Sequence, residues 1–114
     1  MTETVKKFVL TVFSNPAPGR EEDYNKWYND VHLGDVLRIP GFTGAQRFKL
    51  AAGGDAPHKY LAIYEFEAAD PNTVLATLGA RAGTADMVIS EALDMGGIQM
   101  MPWGAVTDKI SASK

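Results

Sequence analysis

The chain has no cysteine among its 114 residues, which excludes disulfides, thiolate metal ligands and a cysteine nucleophile. It has only two histidines, His32 and His58, and their separation does not match the short spacings of common metal sites. No apolar run approaches the roughly 20 residues that a membrane span requires. We therefore expect neither a metal site nor a membrane as partner.

Basic residues are few and scattered: 11 lysines and arginines stand against 14 acidic residues, for a net charge of −3. This balance argues against nucleic acid as a partner. The first 14 residues contain a short apolar run without a small-residue cleavage site, so they are predicted to form a strand and not a signal peptide. We expect one cytoplasmic domain spanning residues 1–114.

Four segments are predicted to be β-strands, because apolar and β-branched residues are concentrated in them and turn residues lie between them. These segments are Lys7–Ser14, Phe42–Ala51, His58–Glu67 and Ile98–Lys109.

Helices are predicted between these strands. The first begins at three consecutive acidic residues from Glu21, runs to about Leu33, is interrupted at Gly34 and continues for a turn to Arg38. The second begins at Asp70-Pro71, a strong N-terminal signal. A short further helix is predicted through Met87, Ile89 and Leu93.

The order β-α-β-β-α-β predicts an α+β protein with the ferredoxin-like fold, in which an antiparallel sheet carries helices on one face. Apolar residues occur on both faces of the first and third strands, so the second face is also expected to be covered. We expect a second copy of the chain to cover it, which gives a homodimer with sheets packed face to face.

The first helix carries ionisable groups on its apolar face. At about 100° per residue, Tyr24, Tyr28, Val31 and Asp35 share one stripe, and Trp27 and His32 flank it. A buried histidine or carboxylate is costly unless it is hydrogen-bonded, so this face is the first candidate for a functional site.

Three features of the chain add a resemblance to these observations. The helix segment Trp27-Tyr28-Asn29-Asp30-Val31-His32, the Ile39-Pro40-Gly41-Phe42 turn and the arginine-bearing strand that follows resemble the EthD-like branch of the dimeric α+β barrel superfamily. The resemblance covers nearly the whole chain. It implies a homodimer with a pocket between the sheet and the helices of each subunit, and it singles out His32. Members include cofactor-free cyclases, isomerases, quinone-forming monooxygenases and haem-degrading enzymes, so the fold does not fix the reaction.

His32 is the leading catalytic candidate, because an imidazole exchanges protons in both directions near neutral pH. Asp35 lies one turn further along and is predicted either to hold one ring nitrogen of His32 or to be a surface carboxylate. Tyr28 completes the catalytic set as a hydrogen-bond donor to a carbonyl or enolate oxygen, or is an aromatic core residue.

Substrate contacts are predicted from Tyr24, Trp27, Tyr64 and Arg47. Arg47 either stabilises an oxyanion or pairs with Glu65 or Glu67 across the hairpin, and the ion pair is the favoured interpretation. His58 is expected to be solvated.

The leading hypothesis is a small cofactor-independent enzyme that uses His32 as general acid/base on a hydrophobic aromatic or polyketide-like carbonyl substrate, in a cyclase, isomerase or lyase step. The alternatives are a cofactor-free monooxygenase of phenolic substrates and a non-catalytic protein that binds a hydrophobic ligand. The haem-degrading members share an asparagine, a tryptophan and a histidine on other elements, a set that this chain does not match.

Overall fold

The computed structural model of the chain describes residues 4–113. Its strands are β1 (Lys6–Ser14), β2 (Phe42–Lys49), β3 (Tyr60–Ala68) and β4 (Gln99–Gly104), in the spatial order β2-β3-β1-β4 with every neighbouring pair antiparallel. This is the predicted ferredoxin-like α+β arrangement. β4 is shorter than expected, because β1 begins at Lys6 and offers little backbone for the chain beyond Gly104 to pair with.

One face of the sheet is packed against the helices. Because side chains alternate along a strand, every second residue of β1 and β3 points to this face. Leu10 is almost fully buried there, together with Ala62, Tyr64 and Phe66 of β3. Two aromatic contacts, Phe8 with Phe66 and Phe42 with Phe66, extend the core towards the end of the sheet.

The first helical region is continuous from residue 21 to residue 37 and is called the long helix below. It consists of α1 (Glu21–Trp27), a π-helical turn (Tyr28–His32) and α2 (Leu33–Leu37). The interruption predicted at Gly34 is wrong. Val36 in α2 and Ile39 just beyond it are each 1% exposed, and burial of these two apolar side chains outweighs the roughly 1 kcal/mol that a helical glycine costs.

The π-helical turn changes which residues face the core. The Leu33 N–H donates to the Tyr28 carbonyl, five residues earlier, so this turn contains one residue more than an α-helical turn. Consequently Val31, which was predicted to lie on the buried stripe, is 43% exposed, whereas His32 is half-buried. The extra residue moves the inward position from Val31 to His32.

The second helix, α3 (Pro71–Arg81), begins as predicted, because the Asp70 side chain accepts a hydrogen bond from the Asn72 N–H at 3.0 Å. The short helix predicted through Met87, Ile89 and Leu93 is absent, and the only helical turn in residues 82–98 is a 3-10 turn, Met95–Gly97.

Local side chains explain the missing helix. Thr84 Oγ1 accepts from the Asp86 N–H at 3.2 Å, and Ser90 Oγ accepts from the Ala92 N–H at 3.0 Å. Such local bonds offer the backbone an alternative to helix. Met87 is nonetheless fully buried, so residues 82–98 close one side of the core as an irregular segment, called the closing segment below.

The second face of the sheet is not covered by any element within residues 4–113. The register of β1, β3 and β4 places apolar side chains on it. Phe48 on β2 and Trp103 on β4 are 42% and 51% exposed, and Ile63 and Phe13 are half-buried. This surface is called the open face below. No helix of the described part is long and apolar enough to cross a membrane.

Candidate functional site

An apolar cavity lies between the sheet, the long helix, α3 and the closing segment. Its volume is about 260 Å³. Almost all of the surface is hydrocarbon or thioether, and the polar side chains that line it are Ser14, Tyr28, His32 and Tyr64. Other lining residues used below are Val36, Leu78, Gly79, Met95 and Met100. A mostly apolar cavity with a few convergent polar groups is the usual form of a small-molecule site.

His32 is held in this lining by aromatic neighbours. Its ring stacks on Trp27, with centroids 4.6 Å apart, and lies perpendicular to the Tyr28 ring at 5.0 Å. Trp27 is itself fixed, because its indole N–H donates to the Val88 carbonyl of the closing segment at 3.1 Å. His32 Nδ1 is buried and has no hydrogen-bond partner within residues 4–113. An unpaired buried polar atom is expensive, and such atoms are concentrated at functional sites.

Burial also sets the protonation state of His32. Loss of hydration disfavours the imidazolium and lowers the pKa of His32 from 6.5 to about 4, with the Asp35 carboxylate acting in the opposite direction and the Arg47 guanidinium adding to the decrease. His32 is therefore a neutral imidazole at pH 7, in which one ring nitrogen carries a hydrogen and the other is free to accept a proton.

The predicted hydrogen bond from His32 to Asp35 is not formed. Asp35 is 9% exposed, and its carboxylate accepts from the Arg38 guanidinium one turn further along α2. The π-helical turn accounts for this, because it turns the imidazole towards the cavity and away from the start of α2. Asp35 acts on His32 through charge alone.

The tyrosines form a relay of hydroxyl groups beside His32. Tyr64 donates to Tyr28 Oη at 3.4 Å, and Tyr24 Oη lies 2.6 Å from Ser14 Oγ. Burial raises the pKa of Tyr24, Tyr28 and Tyr64, so all three remain protonated donors near neutral pH. Because Tyr28 accepts from Tyr64, its own hydroxyl proton can be donated to another oxygen in the cavity.

Arg47 is separated from the cavity by the tyrosines. Its guanidinium lies 4.4 Å from the Tyr28 ring centroid and donates to Asn25 Oδ1 at 2.9 Å and Asn29 Oδ1 at 2.7 Å. The favoured ion pair with Glu65 or Glu67 is wrong. In the register Arg47 is paired with Ala62 and so points towards the helices, whereas the two glutamates alternate to the opposite face.

The structure thus gathers His32, Tyr28 and Tyr64 at the cavity and places Trp27 behind His32. Tyr24 reaches the cavity only through Ser14, whereas Asp35 and Arg47 do not line it. His58, expected to be solvated, is half-buried, with Nε2 2.6 Å from the Gly97 carbonyl.

Sequence reasoning missed Ser14 and the contribution of the closing segment. Ser14 follows Phe8, Leu10 and Val12 on the helix-facing side of β1 and is 1% exposed, so a polar residue at the next inward position of that strand was the available signal. Within residues 4–113 no three histidine, aspartate or glutamate side chains come together as a metal site.

Comparison with known proteins gives structural neighbours only, since no family model and no curated protein matches the chain. MhuD, a haem degrader of Mycobacterium tuberculosis solved with two haems in its active site, is 18% identical with a TM-score of 0.62, over 90% of this chain and 98% of its own. A candidate monooxygenase of Shewanella loihica PV-4 is 13% identical with a TM-score of 0.61, over 91% and 98%.

An EthD family protein of Bacillus halodurans is 13% identical with a TM-score of 0.59, covering 85% of this chain and 95% of its own. Identities this low establish the fold and leave the reaction open. The predicted resemblance is therefore confirmed at the level of the fold: the chain has the ferredoxin-like α+β architecture that these proteins, the EthD family member among them, share.

Proposed function

We propose that the protein is a cofactor-independent enzyme in which His32 moves a proton at a carbon next to the carbonyl group of a small hydrophobic substrate. The observation that carries the proposal is the neutral, unpartnered imidazole in an apolar cavity, next to a tyrosine hydroxyl that can donate. His32 is then available as the base at the α-carbon of an enolising ketone, and Tyr28 as the hydrogen-bond donor to its carbonyl oxygen.

In this reaction the Tyr28 hydroxyl donates a hydrogen bond to the carbonyl oxygen while His32 takes the proton from the adjacent carbon. The product pair is an enolate and an imidazolium, and each stabilises the other in a medium with little water. The Asp35 carboxylate also favours the imidazolium. Return of the proton to another atom completes an isomerisation, and attack by the enolate carbon completes a cyclisation or, in reverse, a lyase step.

Hydrogen–deuterium exchange tests the proton transfer without knowledge of the natural substrate. In D₂O the protein should accelerate exchange at the α-carbons of 2-tetralone, followed by NMR. His32→Ala should reduce the acceleration by about 10² to 10⁴, the usual contribution of a general base. His58→Ala, which removes the other histidine, is the matched control and should keep the rate. Equal rates in wild type and His32→Ala, with unchanged circular dichroism, would eliminate the acid/base role.

A second candidate is a cofactor-free monooxygenase, favoured by the likeness to a candidate monooxygenase. Here His32 would take the proton of a phenol, and the phenolate would react with O₂ to give a quinone and water. An oxygen electrode distinguishes the two candidates, because consumption of one O₂ per quinone occurs only in the second. A merely ligand-binding protein would retain its ligand affinity in His32→Ala and form no product.

Haem, which MhuD binds, does not fit the cavity. An apolar cavity of about 150 Å³ accepts one benzene ring, whereas a tetrapyrrole has four rings and a metal. The volume of 260 Å³ is too small for it. No step of the proposed reaction uses a haem.

The open face supports a homodimer as the working form. Its apolar side chains, which include Ile63, Phe13 and Trp103, are those that a second sheet would cover. In analytical ultracentrifugation the wild type should sediment as a dimer and Ile63→Lys as a monomer. Leu37→Lys, on an exposed position of the long helix, should leave the dimer intact. The cytoplasmic location remains a prediction.

A further inference from the structure

Gly79 is unusual within α3. It lies inside the helix, where glycine is less favourable than alanine because it loses more conformational freedom on folding. None of the usual reasons for a glycine applies to it. Its backbone φ angle is not positive, so the conformation does not require glycine. A Cβ built on Gly79 would also have no neighbouring atom within 4 Å, so close packing does not require glycine either. What the missing side chain does provide is space, and Gly79 lines the cavity.

The position of Gly79 is at the mouth of the cavity. It is exposed, although it contributes to the lining. Two methionines share both properties: Met95 is 64% exposed and Met100 is 49% exposed, and each lines the same cavity. Thioether side chains adapt their shape and make favourable contacts with aromatic rings. The mouth is therefore open on the α3 side and flexible and apolar on the side of β4 and the closing segment.

The volume limits the size of the ligand. If about 150 Å³ holds one benzene ring, the 260 Å³ of this cavity corresponds to roughly two fused rings. The polar groups that can orient such a molecule are His32 and Tyr28, on the long helix. One ring would carry the oxygen at that end, and the second ring would extend towards the mouth.

We propose that Gly79 determines substrate specificity by leaving room at the mouth for the second ring of a two-ring phenol or aryl ketone, which Met95 and Met100 cover from the other side. This inference rests on the proposed function for the location of the site. It goes further in naming the substrate class and a residue that selects it. The oxygen of the first ring lies near His32 and Tyr28, and the second ring lies against Gly79.

Isothermal titration calorimetry with 2-naphthol, phenol and 1-hydroxypyrene tests the proposal. Wild type should bind 2-naphthol about 10 to 100 times more tightly than phenol, because the second ring is removed from water. It should not bind the four-ring 1-hydroxypyrene. Gly79→Leu should weaken 2-naphthol at least about tenfold and phenol less than about threefold. Ala80→Leu, which introduces the same leucine side chain at the next and exposed position of α3, should match the wild type.

Two further variants keep the test decisive if Gly79→Leu does not fold. Gly79→Ala should raise the melting temperature and weaken 2-naphthol selectively, and Met95→Ala should weaken 2-naphthol by removing the opposite wall. Unchanged 2-naphthol affinity in folded Gly79 variants, equal affinities for phenol and 2-naphthol, or binding of 1-hydroxypyrene would overturn the proposal.

These outcomes are separate from the fate of the proposed function. Affinities that change as expected while His32→Ala retains its activity would remove the proton-transfer role and leave the role of Gly79 in place. If the affinities are unchanged in the Gly79 variants while His32→Ala loses the exchange activity, the role of Gly79 is refuted and the proton-transfer role of His32 remains.

Discussion

Acidification should destabilise the fold through His32. The perturbation is a change from pH 7.5 to pH 5.5, compared between the wild type and His32→Phe. In the folded protein burial lowers the pKa of His32 to about 4, whereas the unfolded chain has the ordinary value of 6.5. Between these two values the unfolded state binds more protons than the folded state. The free energy of unfolding must therefore fall as the pH falls through this window.

The magnitude follows from the two pKa values. Their difference of 2.5, at about 1.4 kcal/mol for each unit of pKa, limits the total effect to about 3 kcal/mol, reached near and below pH 4. At pH 5.5 the unfolded chain is already mostly protonated at this site and the folded chain is not, which corresponds to about 1.3 kcal/mol. Phenylalanine does not titrate, and its ring keeps an aromatic contact with Trp27.

Urea denaturation at pH 7.5, 6.5 and 5.5 measures the effect. The wild type should lose about 1.3 kcal/mol relative to His32→Phe over this range, and other titrating groups cancel in the comparison because both proteins contain them. If wild type and His32→Phe show parallel pH dependence, His32 is not held neutral by burial, and the reasoning on its protonation state fails.

Three further predictions concern His32 and its neighbours. The exchange rate with 2-tetralone should be constant from pH 8 to 6 and fall as the pH drops through about 4, because protonation removes the base; a decrease centred near pH 6.5 would contradict this. Tyr28→Phe should lower kcat about tenfold or more and change KM little, since the enolate oxygen loses a donor that acts mainly in the transition state. A change confined to KM in steady-state kinetics would contradict this role of the Tyr28 hydroxyl. Arg47→Ala should lower the free energy of unfolding by about 1–3 kcal/mol in urea denaturation. The side-chain oxygens of Asn25 and Asn29 lose a charged donor, and Tyr28 loses a cation over its ring. A loss below about 0.5 kcal/mol, on the order of that of an exposed ion pair, would show that Arg47 does not stabilise the packing of the long helix on the sheet.

The fold was largely predictable because its signals are local and repeat along each element. Alternation fixes which face of β3 meets the helices, and Asp70-Pro71 starts α3 where the cap residues indicate. The closing segment was not predictable in this way. Its apolar residues match a helical spacing, but Thr84 and Ser90 satisfy the backbone locally, and its burial depends on contacts with distant parts of the chain.

The site was predictable only in part, for a related reason. The stripe on the first helix pointed to Tyr24, Tyr28 and His32, all of which contact the core. The partners of Arg47 and Asp35 depended on register and on the helix twist, neither of which a count of 100° per residue supplies. Gly79 could be noticed in the sequence only as a glycine inside a predicted helix, and its relevance to the site follows only from its position in the cavity lining.

The π-helical turn links the backbone of the long helix to the proposed chemistry. With ordinary α-helical geometry Val31 would lie between Tyr28 and Asp35 on the buried stripe, and the imidazole would lie at its edge. One additional residue in the turn exposes Val31 and brings His32 to the cavity, where no partner within residues 4–113 satisfies its Nδ1. A π turn is rare in helices, which indicates that it is less stable than an α turn, and a buried nitrogen without a partner adds to the cost. Both costs fall on the same five residues, Tyr28–His32, that supply the base and the donor of the proposed site. Selection for stability alone would favour an α turn with valine inside, so the coincidence is better explained by a ligand that contacts the imidazole of His32 in the cavity.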